Sequence, residues 1–263
     1  MTCRVLDQPQ VLRVLFYPRR EDEFTPCPPG VDPVAAEVEH GIAIGGRLYP
    51  AGAHAPAILY FHGNGEIAAD YDDIAPQYTQ LGITLLVADY RGYGISGGRP
   101  TASHLLADAV TLFDRLDRVL ADHGMAPERF FVMGRSLGSA AAIEVALCRQ
   151  DRLAGLIVES GFADTFALLA RMGLRVQGAD EAHDGFDNAA KIGRIRTPTL
   201  IIHGLSDVLI PAGDGRELHR SSAAGDKRLV LIPDAGHNDL MWIGRRAYFG
   251  AIQTLLFPRP DPG

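Results

Sequence analysis

A serine between two glycines lies where a predicted strand meets a predicted helix. Residues 134–138 read Gly-Arg-Ser-Leu-Gly, with the apolar run Phe130–Met133 before them and the alanine-rich segment Leu137–Cys148 after them. Two glycines at this spacing allow a turn so tight that the serine is held in an exposed position. The amino terminus of the following helix stabilises negative charge beside it. The pattern therefore favours Ser136 as a nucleophile.

A nucleophilic serine requires a general base and an acid that orients the base. His237 and Asp207 each follow an apolar, strand-like run, and the three residues occur along the chain in the order Ser, Asp, His. This order is one of those known for such triads. We therefore predict His237 as the base and Asp207 as the acid. Glu159 and Asp164 follow an earlier strand-like run, and they stay open as alternatives for the acid.

Acyl transfer also requires two donors for the negative charge that develops on the substrate oxygen. One donor is the backbone N–H of the residue after the nucleophile, which is Leu137 in this sequence. The second is expected from the segment 62–65, His-Gly-Asn-Gly, which follows the apolar run Ala57–Phe61. Glycines let the backbone approach a substrate closely, so the N–H of Asn64 is the predicted second donor.

Two other patterns point to different chemistry. Residues 92–97 read Gly-Tyr-Gly-Ile-Ser-Gly, which matches the dinucleotide pattern G-x-G-x-x-G, but no helix is predicted to begin directly on these glycines. His62, His203 and His237 are all expected at one edge of the sheet, where they could form a zinc cluster. They lack the close spacing of an H-x-H or H-E-x-x-H pair. We therefore expect neither a nicotinamide cofactor nor a metal ion.

The elements that must position these residues alternate between strand and helix. Apolar runs predict buried strands at Ala57–Phe61, Thr84–Ala88, Phe130–Met133, Ala154–Val158, Thr199–Ile202 and Leu229–Ile232. Helical spacing predicts helices over 105–120, 137–148 and 238–257. Apolar strands separated by helices indicate an α/β fold with a mostly parallel central sheet and helices on both faces.

The N-terminal part is predicted to differ from this pattern. Val11–Tyr17 reads as a strand, and Arg19–Pro33 is charged and then proline-rich, which indicates a loop. Two further strand-like runs, Glu37–Ile44 and Arg47–Tyr49, are separated by Gly45-Gly46. Two glycines between such runs predict the turn of a β-hairpin.

The chain is predicted to contain one main domain, residues 37–257, which is within the size range of a single α/β domain. Residues 1–36 form a lead-in, and the proline-rich residues 258–263 form a tail. The long interruption between the fourth and fifth buried strands, residues 161–198, is expected to form a small cap of two or three short helices.

Composition limits the classes of function. Apolar residues make up 47% of the 263 residues, which is enough for a sizeable core, and the formal net charge of −7 argues against nucleic acid as a partner. The three cysteines have no spacing typical of a disulfide framework. We find no signal peptide, membrane anchor or apolar run long enough to span a bilayer, and we expect a cytoplasmic protein.

Five segments together resemble the α/β-hydrolase superfamily: 62–66, 89–94, 134–138, 203–207 and 236–237. The combination is most similar to a small-cap branch that includes protein depalmitoylases and many soluble esterases. The resemblance covers about Glu37 to Phe257, and it implies a serine-hydrolase mechanism that uses no cofactor. The sequence departs from the depalmitoylases because it has no N-terminal cysteine cluster.

Apolar side chains near the predicted triad indicate the substrate. Phe162, Leu209, Met241 and Trp242 are expected to form a modest apolar wall, which favours an acyl chain over a charged group. We therefore expect cleavage of small-molecule esters or thioesters with short to medium acyl chains. A long-chain acyl-protein thioesterase, a peptidase or amidase, and a non-catalytic binding protein of the same fold stay open as alternatives.

Overall fold

The computed structural model describes residues 3–22 and 25–258, and within this part of the chain eight strands form one sheet. They are β1 (Asp32–Glu39), β2 (Ile42–Tyr49), β3 (Ala57–Phe61), β4 (Thr84–Ala88), β5 (Phe130–Arg135), β6 (Gly155–Glu159), β7 (Thr199–Gly204) and β8 (Lys227–Ile232). Their spatial order is β1-β2-β4-β3-β5-β6-β7-β8. The β1–β2 and β2–β4 pairs are antiparallel and the others are parallel. The predicted α/β fold is confirmed, and the six predicted buried strands are found to within two residues at each end.

Helices cover both faces of the sheet. They are α1 (Pro9–Leu15), α2 (Pro76–Thr79), α3 (Ala102–Asp114), α4 (Leu116–Asp122), α5 (Gly138–Arg149), α6 (Thr165–Arg171), α7 (Glu181–Asp184), α8 (Asn188–Ile192), α9 (Ala212–Ser221), α10 (Leu240–Ile243) and α11 (Arg245–Leu256). One hydrophobic core lies on each face of the sheet. Successive side chains of a strand pack into these two cores in turn, because side chains alternate between the faces along a strand. Leu59 and Phe61 pack with α3 and α5, whereas Ile58 and Tyr60 pack with α11.

The predicted strand at Val11–Tyr17 is wrong, because the first five of these residues belong to helix α1, which ends at Leu15. Pro9 stands in the first turn of the helix, where its missing N–H costs nothing and its fixed φ suits the helix. Val11 and Leu15 are four residues apart and both are buried, which is a helical pattern. The run was too short for its apolar residues to distinguish a strand from one helical turn.

The predicted hairpin of Glu37–Ile44 and Arg47–Tyr49 is wrong, because the first run contains the actual turn and the second lies within β2. The hairpin that forms pairs β1 with β2. The chain reverses at His40-Gly41, where Gly41 has a φ of +75°, and Gly45-Gly46 lies inside β2. A Cβ on Gly45 would overlap the Ile95 side chain, and one on Gly46 would overlap the backbone of Val87 in β4. These glycines therefore serve close packing within the sheet, which two-residue turn patterns do not anticipate.

Two of the predicted helices are each divided into two. The helix over 105–120 breaks between α3 and α4 at Arg115, and the last predicted helix breaks between α10 and α11 at Gly244. A Cβ on Gly244 would overlap Ile232 at the end of β8, so the break lets the chain approach the sheet. Residues 161–198 contain α6, α7 and α8. In the described ranges, no helix has the length and apolar character that a membrane span needs.

Candidate active site

Ser136 occupies a strained turn between β5 and α5. Its φ is +52°, a value that non-glycine residues rarely adopt. A Cβ on Gly134 would overlap the backbone of Gly138, and a Cβ on Gly138 would overlap the carbonyl oxygen of Phe61 in β3. Both glycines are therefore required where the turn passes between strand and helix, as the sequence pattern predicts.

The structure brings together the three side chains predicted as a triad. His237 Nε2 lies 3.0 Å from Ser136 Oγ, and His237 Nδ1 lies 2.8 Å from Asp207 Oδ2. Both distances are within hydrogen-bond range. The imidazole thus bridges a hydroxyl and a carboxylate, and it is placed to accept the serine proton at one nitrogen while the other donates to the acid.

The loop after β7 holds Asp207 in a fixed orientation. Its Oδ1 accepts hydrogen bonds from the N–H groups of Leu209 (3.0 Å) and Ile210 (2.8 Å), which leaves Oδ2 for His237. Burial raises the pKa of Asp207, but the hydrogen bond and charge interaction with His237, together with the Ile210 N–H, lower the pKa below its ordinary value. The carboxylate is therefore kept ionised beside the imidazole.

The two alternative acids lie elsewhere. Asp164 caps the amino terminus of α6, where its Oδ1 accepts from the N–H of Ala167 at 2.7 Å. Glu159 ends β6, and its carboxylate accepts hydrogen bonds from the hydroxyls of Tyr248 (2.6 Å) and Tyr60 (3.2 Å). Neither carboxylate is a hydrogen-bond partner of His237.

The predicted oxyanion donors lie at the same cavity as Ser136. Asn64 and Leu137 both line it. Among the described residues, neither backbone N–H has a hydrogen-bond acceptor, so both are available to a substrate oxygen. The Asn64 side chain fixes this loop, because its Oδ1 accepts from the N–H of Tyr17 (2.7 Å) and the hydroxyl of Tyr93 (2.8 Å).

The cavity beside Ser136 has a volume of about 220 Å³. Its lining is Leu15, Asn64, Glu66, Arg135, Ser136, Leu137, Leu168, Met172, Leu209, His237 and Asn238. Of the four residues predicted to bind substrate, the structure places only Leu209 in this lining. The sequence pattern does not indicate the contribution of Leu15, because the run that forms α1 predicts a strand in a lead-in.

The other three predicted wall residues are not part of the cavity. Phe162 is fully buried in the main core, where its ring lies 6.0 Å from that of Phe186. Met241 packs against the core on the α11 side of the sheet. Trp242 is 57% exposed on α10. Closeness in sequence to a strand end did not determine which way these side chains point.

A buried guanidinium joins the loops around the site. Arg135 precedes the serine, and its Nη2 donates to the backbone carbonyl of His237 (2.9 Å) and to Asn238 Oδ1 (2.6 Å). It also forms ion pairs with Glu66 and, at 3.3 Å, with Glu159. Burial lowers the pKa of Arg135, but the charges of Glu66 and Glu159 outweigh burial and raise it. Sequence patterns do not predict this network, although Arg135 and Glu66 both lie within the segments that resemble the α/β-hydrolase superfamily.

His62 and His203 have structural partners. His62 Nδ1 lies 2.8 Å from the carbonyl oxygen of Gly63, and His203 Nε2 lies 2.7 Å from that of Ile210. Burial lowers the pKa of His203, which favours the neutral ring. The described residues contain no group of three or more His, Cys, Asp or Glu side chains placed to hold a metal.

The glycine-rich residues 92–97 lie in the loop between β4 and α3, and α3 begins only at Ala102. Within this loop the buried Ser96 accepts a hydrogen bond from the N–H of Gly45 in β2 at 2.8 Å. The segment therefore connects the loop to the sheet, and no helix begins directly on its glycines as a dinucleotide site requires.

The sheet order, the strained serine turn and the Ser–His–Asp arrangement define an α/β hydrolase. The family model described as serine aminopeptidase, S33, matches residues 52–166. The uncharacterized protein Rv2307c of Mycobacterium tuberculosis is 32% identical over 252 residues, which cover 94% of this chain and 87% of that protein. The alpha/beta hydrolase domain-containing protein aho-3 of Caenorhabditis elegans is 30% identical over 189 residues, covering 70% of this chain and 52% of that protein.

Among solved structures, the esterase Pf2001 of Pyrococcus furiosus shares the fold. It has a TM-score of 0.72 at 18% identity, with 91% of this chain and 97% of that chain covered. The chain belongs to the α/β-hydrolase family.

Proposed function

We propose that this α/β hydrolase is a serine esterase or thioesterase that acts on small acyl substrates through an acyl-enzyme. The observation that carries the proposal is the position of His237, within hydrogen-bond distance of both Ser136 Oγ and Asp207 Oδ2, at the wall of a cavity. A serine in this setting gains nucleophilicity from the adjacent base. The cavity gives the acyl group a place beside the hydroxyl.

The reaction proceeds in two acyl-transfer steps. His237 takes the proton of Ser136 while Oγ attacks the acyl carbonyl carbon, and the N–H groups of Asn64 and Leu137 hold the resulting oxyanion. Collapse breaks the bond to the leaving group, which receives the proton from His237. Water, activated by His237, then releases the carboxylic acid and restores Ser136. Asp207 keeps the imidazole oriented and stabilises its protonated form.

The cavity supports a preference for short to medium acyl chains. Leu15, Leu168, Met172 and Leu209 supply apolar wall, and each methylene that contacts such wall contributes up to about 0.8 kcal/mol of binding free energy. Methylenes beyond the wall contribute nothing. A volume of about 220 Å³ favours a short chain over a palmitoyl-length chain, which is the substrate of the long-chain thioesterase alternative.

A peptidase or amidase is the second candidate, because the matched family model is described as a serine aminopeptidase. An aminopeptidase has to bind the ammonium group of its substrate, which requires an available acidic group. Glu66 is the carboxylate in the cavity lining, but it pairs with Arg135 and accepts hydrogen bonds from Gly63 N–H and the Tyr71 hydroxyl, both at 2.8 Å. This use of Glu66 supports ester over peptide cleavage.

The decisive experiment combines active-site labelling with a substrate panel. A fluorophosphonate probe should label the wild-type protein, and Ser136→Ala should remove both labelling and turnover, lowering kcat by about 10⁶-fold. The panel contains acyl esters, acyl thioesters and aminoacyl anilides that share chain lengths and leaving groups as far as chemistry allows. Preferred anilide cleavage would establish the peptidase instead.

If the folded wild-type protein shows neither labelling nor turnover, the alternative of a non-catalytic binding protein with the same fold would be favoured. Ser139→Ala is the matched control for Ser136→Ala, because Ser139 is a buried serine on the next turn whose hydroxyl donates to the Ser136 carbonyl (2.6 Å). It should retain labelling.

A cytoplasmic location is part of the same proposal. Cys3, Cys27 and Cys148 are all free thiols, which supports a reducing compartment such as the cytoplasm. Fractionation of the native host, with an antibody against the protein, would test this placement.

A further inference from the structure

One wall of the cavity comes from the N-terminal segment, which lies outside the cap and before the region matched by the family model. Leu15, the last residue of α1, lines the cavity together with Leu168 and Met172 at the cap helix α6. Helices α1 and α6 pack against each other. The acyl space is therefore enclosed by two separate parts of the chain.

The polar and apolar parts of the cavity lining differ in position along the chain. The polar lining comes from the loop after β3, the nucleophile turn and the base loop, at Asn64, Glu66, Arg135 and Asn238. The apolar lining comes mainly from Leu15, Leu168, Met172 and Leu209. An acyl chain that starts at Ser136 gains binding free energy only along the apolar part of the lining. Along the polar part, the chain would remove water from polar groups and give them no hydrogen-bond partner in return.

Hydrogen bonds at both ends of the segment fix the position of α1. Before the helix, Asp7 Oδ1 accepts from the N–H of Ser103 at the start of α3 (3.1 Å). After the helix, the N–H of Tyr17 donates to Asn64 Oδ1 (2.7 Å). Asn64 also carries a predicted oxyanion donor, so Leu15 is held two residues from a point that is anchored to the reacting centre.

The side chain of Leu15 has little freedom to move away. It is 2% exposed and belongs to the main core, together with Val11 one helical turn earlier. Forcing additional methylenes against a packed side chain is unfavourable, because it requires off-rotamer side chains or shifts of the backbone. A buried leucine on an anchored helix therefore resists displacement by an acyl chain that contacts it.

We propose that Leu15 is a specificity-determining residue that sets the longest acyl chain the site accepts. This inference rests on the proposed acyl-enzyme function. It assigns the substrates to esters or thioesters whose unbranched acyl chain runs from Ser136 along the apolar wall toward α1. The N-terminal segment is thereby part of the substrate site.

The test is the acyl-chain profile of kcat/KM, measured with one leaving group and saturated chains from acetyl to dodecanoyl. Leu15→Ala opens space at this position, so the ratio of kcat/KM for the first rejected chain to that for the optimal chain should rise about tenfold or more. Leu15→Phe fills space, so the optimum should move to shorter chains. Val11→Ala is the matched control, because Val11 is fully buried in the same helix and is not part of the lining.

Three results would overturn the inference. One is an acyl-chain profile of kcat/KM that is unchanged in both Leu15→Ala and Leu15→Phe while Ser136 is labelled at the wild-type rate. In that case the proposed function would still stand. Another is the same shift in Val11→Ala, which would show that general loosening of the helix is responsible. If Leu15→Ala does not fold, the Leu15→Phe profile decides. Failure of the wild type to label or to turn over any ester would overturn the proposed function itself, together with this inference.

Discussion

Two buried carboxylates stand at the same edge of the sheet, one at the end of β6 and the other just after β7. Asp207, after β7, meets the imidazole of His237 and two backbone N–H groups. Glu159, at the end of β6, meets the guanidinium of Arg135 and two tyrosine hydroxyls. Acidic residues at the ends of neighbouring strands thus take different roles, and their partners decide which. Asp207 is placed to orient a base, whereas Glu159 is placed to hold the framework around it.

The different roles of Asp207 and Glu159 can be tested by neutralising each carboxylate in turn, and the larger effect on rate is expected at Asp207. Asp207→Asn should lower kcat by about 10⁴-fold, because an amide no longer stabilises the imidazolium or fixes the correct tautomer. Labelling by a fluorophosphonate should slow in parallel, since labelling uses the same activated serine. Steady-state kinetics on the best ester of the panel would measure the effect.

Asp164→Asn is the control for that substitution. The side-chain oxygen of asparagine can still cap α6, so activity should stay within a few-fold of wild type. Near-normal turnover in Asp207→Asn, or a collapse in Asp164→Asn, would mean that the acid has been assigned to the wrong residue.

Arg135 links the two carboxylate environments, because it contacts Glu159 and also holds the base loop through the carbonyl of His237. Arg135→Lys keeps the charge but loses the planar fork of donors that reaches several partners at once. A shift of the imidazole by about 1 Å can cost about 100-fold in rate, so we expect kcat to fall by about 10–100-fold with KM little changed.

The split between kcat and KM distinguishes a positioning role from a purely structural one. Arg149 provides the matched control, because it makes a forked pair with Asp114 on the surface, with both contacts at 2.6 Å. Arg149→Lys should leave both constants unchanged. Equal losses in both variants, or a rise in KM alone for Arg135→Lys, would refute the positioning role.

The difference between the carboxylates also shows what could be predicted from sequence. Periodicity and strand-end placement predicted the sheet, the serine turn and the neighbourhood of Asp207 and His237, because these depend on local pattern and on parallel strands sharing one edge. They left Glu159 open as a rival acid, since a strand end does not specify a partner. That choice depends on Arg135 and Tyr248, which lie far from Glu159 in the sequence and meet it only in the folded chain.

The cavity wall was predicted less well for the same reason. Leu209 lines the cavity, but Phe162 points into the core. Leu15 lines the cavity although its short apolar run predicts a strand in a lead-in, because α1 is a single short helix. The direction of one side chain and the packing of a distant helix are tertiary properties. Short apolar runs carry too little periodicity to reveal them.

The smallest expected effect on rate comes from Glu159→Gln, and its larger effect should be on stability. Glutamine retains an oxygen that accepts from the hydroxyl of Tyr248, but it removes one of the two negative charges that compensate the buried Arg135. Leaving a buried cation less well paired costs about 1–3 kcal/mol of unfolding free energy, which for a chain of this size lowers Tm by several degrees. Turnover at a temperature well below Tm should fall by less than about tenfold, because Asp207 and His237 are untouched. Thermal unfolding of Glu159→Gln beside Asp207→Asn measures the contrast: the first should lose stability and keep its rate, and the second should lose its rate with a smaller change in Tm. The reverse order would mean that the two carboxylates have exchanged roles.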